Sequence, residues 1–531
     1  MNGEALSISE MSMTAAKPVV NPWVVAMVVT MATFMEVLDS SIANVALPHI
    51  AGNLGSTTNE STWVLTSYLV ASAVVLPMSG WISDMIGRKR FYMICVTLFV
   101  ISSVLCGLST SLPMLVICRV LQGLGGGGLQ PTEQAILADT FAPEKRNMGF
   151  AIYGMAILLA PVIGPTLGGW ITDNFSWHWI FFINLPIGII SLLLTQRIIH
   201  DPPYLKKQRE TRPKGRTDYM GISTIVLGVG FFQLALDKGQ ELDWLASTSI
   251  RLALIFGLGS LVVLAWREWT LDDPIINLRL LKNRNFATSV MFNFILGMVL
   301  NGTMILVPQF LQNQLGYTAE RAGWALSPAG IVLGLLMPIG GLCAAKFDPR
   351  KVVAFGFLIT SLSLFNVTRV FLGVDFQTMV WWRVLQVAGM PFIFIPITTL
   401  SYVGLAAKDH NQVSGISNFA RNLGGAIGVS FLVTFLSRHQ QIGRANLVSH
   451  LNRGNVFFNR FYSMLSHGSQ DPAAKKHALA QVQGLVELQA SAMSFANIFF
   501  VMGVAVAFLV PLSFLMKRPT KKDMEMSAGQ H

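Results

Sequence analysis

Apolar blocks long enough to cross a bilayer recur along the whole of this chain, and they leave it few folds to adopt. A helix needs about 20 residues to span the hydrocarbon core. Fourteen blocks are read, near 23–47, 61–82, 91–109, 112–137, 149–171, 177–196, 219–236, 250–266, 286–311, 322–343, 352–372, 378–404, 413–436 and 493–516. Every backbone amide in hydrocarbon has to be bonded within protein. The blocks show no alternation of the kind that closes a barrel, so they predict helices. Charged residues make up 12% of the 531 and hydrophobic residues 52%, whereas a soluble domain carries about 25% charge. The composition argues against a soluble globular chain. The expected fold class is an all-α polytopic membrane protein.

The net charge of +11 would suggest nucleic acid in a soluble protein. Its placement points to lipid. With a cytoplasmic N-terminus, 25 of the 38 Lys and Arg fall on the cytoplasmic side, and only Lys238, Arg251 and Arg321 fall in short outer loops. This is the asymmetry of the positive-inside rule. It predicts both termini in the cytoplasm, basic loops against anionic lipid, and no nucleic-acid partner. Residues 1–21 carry one lysine and lack the order of a cleaved signal peptide, so the first block is expected to stay as an anchor. Cys95, Cys106, Cys118 and Cys343 lie in apolar segments without ligand spacing. They read as packing residues, and no metal or cofactor is expected.

The string RVLQ occurs at Arg119–Gln122 and again at Arg383–Gln386, early in the fourth and twelfth spans. The basic turn Arg88, Lys89, Arg90 is echoed by Lys346, Arg350 and Lys351, and a glycine patch follows each RVLQ. Matching strings in matching spans predict a duplicated six-helix unit, a transporter design with its site at the midplane. The expected organisation is a cytoplasmic tail 1–22, a six-helix bundle 23–200, basic loops and two linking helices in 201–285, a second bundle 286–516 with a periplasmic segment 437–492, and a cytoplasmic tail 517–531.

Charges inside spans are the sharpest signal, because one at the bilayer centre costs at least about 2.5–3.5 kcal/mol and so faces a partner or water. Asp39 and Arg119 each lie eight residues from the outer end of their span, roughly 12 Å deep at 1.5 Å per residue. Equal depth permits a direct contact or competition for one proton. Glu36 lies on nearly the same helix face as Asp39. Arg383 is placed to do for the second half what Arg119 does for the first. Arg421 lies close to a helix end, and Glu133 is near enough to one to snorkel. Asn293, Asn301, Gln309 and Gln312 punctuate the ninth span, either as interhelical glue or, the reading preferred here, along a substrate path with Gln122 and Arg383.

Backbone signals accompany these charges. Gly80, Asp84, Gly87 and Arg88 close the second span. They suggest a tight loop whose charges lock helix ends together. Gly123–Gly128 fits GxGxxG, but no strand precedes it and it lies inside an apolar span, so dinucleotide binding is rejected. Glycines there let helices approach closely. Pro161, Gly164, Pro165, Gly168 and Gly169 in the fifth span read either as simple packing or as a hinge or seal.

Together these strings resemble the major facilitator superfamily, and within it the fourteen-span drug:proton antiporters of the EmrB/QacA type, over about residues 23–516. Gly80–Arg90 is similar to that family's loop signature, Arg119, Gln122 and Gly123 to its fourth-helix arginine motif, and Gly164, Pro165, Gly168 and Gly169 to its antiporter motif. Val37–Pro48 and Trp179–Pro186 resemble the branch's first- and sixth-helix signatures. Two departures are His178, where the family usually has arginine, and Asn497, where aspartate is usual.

The resemblance implies a secondary transporter and not an enzyme, exporting small amphipathic compounds against protons from a bacterial inner membrane. Asp39, Glu36 and Arg119 would couple the proton. Gly80, Asp84, Gly87 and Arg88 would form a conformational latch, with Asp139 as the partner of Arg88. The long segment 437–492 looks most like EmrB proteins, which work with a periplasmic membrane-fusion adaptor and an outer-membrane channel. Two rival readings are an importer of a sugar or organic acid on the same fold, and a membrane enzyme acting on lipid-linked substrates. The antiporter motif speaks against the first. Against the second, segment 437–492 has only Asp471 and Glu487 as carboxylates and no metal-like spacing of His and Asp.

Overall fold

The computed structural model describes residues 21–518, apart from 203, 206–217, 453 and 467–470. The expected tails 1–22 and 517–531, but for their inner ends, and most of the basic loop after residue 205 lie outside the described residues. Among the described residues there is no strand, and fourteen helices are long and apolar enough to cross a membrane. In chain order they are α1 (Pro22–Asn53), α2 (Asn59–Ile86), α3 (Arg88–Gly107), α4 (Leu112–Thr140), α5 (Arg146–Asn174), α6 (Trp179–Ile198) and α7 (Tyr219–Lys238). There follow α8 (Thr248–Thr270), α9 (Arg284–Asn313), α10 (Arg321–Lys346), α11 (Pro349–Val367), α12 (Phe376–Ser401), α13 (Ala407–Ser449) and α14 (Pro472–Leu515).

Local chemistry sets many of the helix starts. The side chains of Asn21, Asn283, Asp348, Asp375 and Asp471 accept from backbone N–H groups in the first turns of α1, α9, α11, α12 and α14. Each cap satisfies a donor that the helix itself leaves unpaired. Proline follows three of these caps, where its missing N–H does no harm. Gly87, at φ 97°, turns α2 directly into α3, a backbone conformation that favours glycine.

The helices form two bundles, α1–α6 and α9–α14. In the first, α1 packs on α5, α2 and α3 on α4, and α3 on α6; in the second, α9 packs on α13, α10 and α11 on α12, and α11 on α14. A shift of eight helices turns one set into the other, as the duplicated strings predict. The halves meet where α2 lies against α13 and α5 against α10. The linking helices α7 and α8 pair with each other, and α7 leans on α2 and α13. Ile255, Val262 and Trp266 of α8 are exposed, as apolar side chains facing hydrocarbon are.

One end of the molecule gathers the starts of α3, α9 and α11, and Arg284 there donates to the carbonyl of Leu515. It is called the basic end below, and the opposite one the far end. At the far end the helices differ from the sequence expectation. The segment 437–492 continues α13 to Ser449 and begins α14 at Pro472, with a short helix, Val456–Leu465, between them. The helical run His410–Ser449 has 40 residues, about 60 Å at 1.5 Å per residue, twice the roughly 30 Å of hydrocarbon. The outer part of α13 is polar, so hydropathy alone ends the span early.

Candidate functional site

Two buried acids of α1 anchor the site. Asp39 Oδ2 accepts from Arg119 Nη1 of α4 at 2.6 Å. Its Oδ1 accepts from Gln122 Nε2 at 3.1 Å and from Asn184 Nδ2 of α6 at 2.7 Å. Arg119 Nη1 also donates to Gln122 Oε1 at 2.8 Å, and Arg119 Nε to the Val64 carbonyl at 3.0 Å. The pair is sealed, with side-chain exposures of 0% for Arg119 and 1% for Asp39. A buried ion pair holds together when further hydrogen bonds occupy its remaining lone pairs and protons; Gln122 and Asn184 do so for Asp39, while Arg119 Nη2 is buried without a hydrogen-bond partner. Asn184 is fixed in turn by donating to Ser103 Oγ at 3.0 Å.

Glu36, one turn toward the basic end, lies in a different setting. Its Oε1 accepts from the Tyr68 hydroxyl at 2.9 Å and its Oε2 from Gln130 Nε2 at 2.7 Å. The guanidinium of Arg119 lies over the Tyr68 ring, 4.3 Å from its centroid. Tyr68 therefore touches both acid sites, by its hydroxyl on one side and its ring on the other. Gln130 Oε1 accepts from Arg421 Nη2 of α13 at 2.8 Å. Arg421 also bonds Asn418 and the Tyr153 hydroxyl, and Asn418 donates to Gln134 at 2.8 Å. A polar chain thus runs from α1 through α4 to α13, across the boundary between the halves.

That chain borders a cavity of about 160 Å³ between the two bundles. Glu36, Gln130, Asn301, Asn418 and Arg421 give it polar walls, and Ile157, Leu300 and Met304 are among its apolar ones. Asp39 and Arg119 do not line it. They lie behind Tyr68, so the cavity meets Glu36 first.

The other candidate path residues are dispersed. Asn301 lines the central cavity. Gln122 belongs to the Asp39 cluster, and Asn293 is buried with its amide donating to the Ser289 carbonyl of its own helix. Gln309 lines neither this cavity nor the one beside Arg383. Arg383 lies in the second bundle, donating to Gln386 Oε1 at 2.7 Å. The two RVLQ strings thus fold the same way, arginine to glutamine at i, i+3. Glu133 is fully buried and accepts from Thr30 Oγ1 at 2.6 Å.

At the basic end Arg88 is buried and pairs with Asp139 of α4. Tyr204 and His410 also bond Asp139. Asn411 of α13 bridges Asp84 and Arg88, accepting from Arg88 and donating to Asp84. A Cβ on Gly80 would meet the Asn411 carbonyl at 2.7 Å, so a larger residue there would push α13 from α2. Burial holds the Tyr204 hydroxyl above the ordinary tyrosine pKa, which keeps it a donor. In α5, Cβ atoms on Gly164 and Gly168 would run into Ser41 and Ile42 of α1, whereas Gly169 faces open space. The helix stays continuous through Pro161 and Pro165.

Sequence reasoning singled out Asp39, Glu36, Arg119 and Arg88 but not Tyr68, Gln130, Asn184, Asn411 or Asn418 as site residues. One signal was available. Asn411, Ser414, Asn418 and Arg421 recur at i, i+3, i+7, i+10, one face of a helix, and that face is the one turned to the first bundle.

Comparison with known proteins follows the same lines. The profile of the Major Facilitator Superfamily matches residues 29–429. The multidrug export protein EmrB of Escherichia coli strain K12 is 39% identical over 82% of this chain and 84% of its own length. The fatty acid resistance protein FarB of Neisseria gonorrhoeae is 36% identical over 92% and 95%. A crystal structure of a double tryptophan mutant of XylE superposes with a TM-score of 0.61, covering 96% of this chain and 98% of that one at 14% identity. Family and fold are those of transporters, not enzymes. The chain belongs to the Major Facilitator Superfamily and, within it, to the EmrB-like transporters.

Proposed function

We propose that this protein exports small amphipathic or hydrophobic compounds in exchange for protons, by alternating access of its two bundles around the central cavity. EmrB is named for multidrug export and FarB for fatty acid resistance, and the proposal extends export of that kind to this chain. In this reading it is the inner-membrane permease of a tripartite system, with both termini cytoplasmic and a periplasmic adaptor on the 437–492 hairpin leading to an outer-membrane channel.

The observation that carries the reading is the run of contacts from the cavity to the buried ion pair: Glu36 to Tyr68, Tyr68 to Arg119, Arg119 to Asp39. A carboxylate couples transport only if its proton affinity differs between two conformations. In this reading Arg119 pairs with Asp39 in one state and releases it in the other. Glu36 takes the proton or the substrate's cation from the cavity, and Tyr68 passes the change to Arg119. Because Gln130 ties Glu36 to Arg421, neutralising Glu36 loosens a bond between the bundles. Gly80, Asp84, Gly87, Arg88 and Asp139 serve as the latch at the basic end. Gly164, Pro165, Gly168 and Gly169 keep α5 close against α1. Asn301 lies on the substrate's route.

The test is internal pH in proteoliposomes while lipophilic cations, weak acids and neutral amphiphiles are added. Substrate-dependent proton flux is expected, abolished in Asp39→Asn and partly kept in Asp39→Glu, with both variants reaching the membrane. Undiminished flux in Asp39→Asn would remove Asp39 from coupling.

A further inference from the structure

Arg383 is the counterpart of Arg119 in the second bundle, and it lacks what Arg119 has. It is 5% exposed and sits seven residues into α12, roughly 10 Å along the axis. Among the described residues no carboxylate comes within salt-bridge distance of it. Its one hydrogen-bond partner is the neutral Gln386, through Nη1. Its Nε and the Gln386 Nε2 are both buried donors without an acceptor. Where Asp39 faces Arg119, Arg383 shares its cavity with Val307, Phe310, Val370 and Phe499. Those side chains line a cavity of about 10 Å³ together with Arg383 and Gln386.

A guanidinium is not deprotonated in proteins, and burying an unpaired charge carries a heavy penalty. An arginine held this deep therefore requires a negative charge from somewhere. The ends of its own helical run supply none at close range: the run Phe376–Ala388 starts seven residues before Arg383 and breaks beyond it only at Gly389, more than a turn away on either side. The two unpaired N–H groups are both donors, so what they bind accepts hydrogen bonds through lone pairs. The space is about 10 Å³, room for one water-sized species or a single small ion, and of the two only the ion brings the counter-charge. The apolar remainder of the lining strengthens the field of a charge placed there.

The geometry points to a binding site for one small monovalent anion, of the size of chloride, held by Arg383 and Gln386 inside the second bundle. The duplicated unit then carries its counter-charge in two forms: covalently, as Asp39, in the first half, and as a mobile ion in the second. The inference is independent of the proposed export reaction. It concerns what neutralises Arg383, whatever the cargo.

The test uses the full-length protein in detergent, with chloride exchanged for gluconate at constant ionic strength. An anion at concentration c that binds only the folded state stabilises it by RT ln(1 + c/Kd), so the unfolding midpoint climbs with the logarithm of its concentration above Kd. Wild type is expected to gain about 2–4 °C in chloride or bromide, and nothing in sulfate. Arg383→Gln is expected to lose the dependence and, in gluconate, to unfold above wild type, because the unpaired charge is gone. Gln386→Leu keeps the arginine and removes one donor. It is expected to need about threefold to tenfold more chloride for the same gain, and it reads the site should Arg383→Gln fail to accumulate. An equal chloride response in wild type and both variants would overturn the site. So would a wild type indifferent to chloride but stabilised by a medium-chain carboxylate, which would mark Arg383 as a contact for an amphiphile's headgroup.

Discussion

Asp39 accepts hydrogen bonds from Arg119, Gln122 and Asn184, and Arg119 is closed off from solvent. In such a place the two partners have unequal value singly and together. Removing one leaves an uncompensated buried charge, at a penalty of about 3–5 kcal/mol, whereas replacing both with neutral groups is often close to neutral. Arg119→Gln is therefore expected to lower stability in detergent by that amount. The double variant Asp39→Asn with Arg119→Gln should recover most of it while remaining inactive in transport. A double-mutant cycle on unfolding midpoints measures the coupling, and additive losses would mean that the pair is not the unit the contacts describe. The pair was legible in the sequence because an intramembrane charge is expensive and therefore conspicuous, and because equal depth matched Asp39 to Arg119. Tyr68, Gln130 and Asn184 were not picked out, since a phenol or an amide inside a span costs far less than a charge and is as often glue between helices. Their roles depend on which helices are neighbours, and the one-dimensional pattern does not contain that.

Between elements, glycine decides how near two helices come. Where α9 crosses α13, a Cβ on Gly297 would meet the Arg421 carbonyl at 1.9 Å, and one on Gly424 the Phe294 carbonyl at 1.9 Å. Backbones this close leave no side chain to yield. The same logic divides the motif of α5. A Cβ on Gly164 would meet Ser41 Oγ at 2.3 Å and its Cβ at 2.5 Å, while one on Gly169 meets nothing within 4 Å. Ser41 is two residues from Asp39 on α1, so displacing it also tilts the coupling site. Gly164→Ala is expected to destabilise by about 1–3 kcal/mol through overpacking and to reduce transport. Gly169→Ala should be neutral or stabilise by about 0.5–1 kcal/mol, the helix preference of alanine over glycine. Parallel unfolding and efflux measurements on the two variants separate a packing role from a shared hinge, since a hinge would lose activity in both. The repeat strings and the glycine patches foretold which helices correspond. They did not foretell how far α13 and α14 run beyond the bilayer, because a helix in water has no apolar run to announce it.

Across the whole molecule, one charged knot at the basic end ties the bundles together: Asp139 of the first is shared by Arg88 of the same bundle, Tyr204 of the connecting segment and His410 of the second bundle. Asn411 of the second bundle reaches Asp84 and Arg88 of the first, and Gly80 lets α13 lie directly on α2. A transporter that alternates has to break this cluster in every cycle, so its strength sets the balance between two global states. Neutralising Asp139 takes away the charge that holds Arg88 and His410 together. If Asp139→Asn shifts the balance by about 1.4 kcal/mol, the population open at the basic end rises about tenfold. Ser79 reports on that opening. It is 1% exposed, and a Cβ on Gly415 of the other bundle would lie 3.2 Å from its hydroxyl. Of the native thiols, Cys95, Cys106 and Cys118 are buried and Cys343 is partly exposed, so replacing Cys343 leaves a quiet background. In that background Ser79→Cys is expected to react slowly with a water-soluble maleimide, and about tenfold faster once Asp139→Asn is added. An unchanged rate would mean that packing of α2 on α13, and of α5 on α10, keeps the bundles together without the charges, and the cluster would then be a fastening for α3 and α4 within the first bundle.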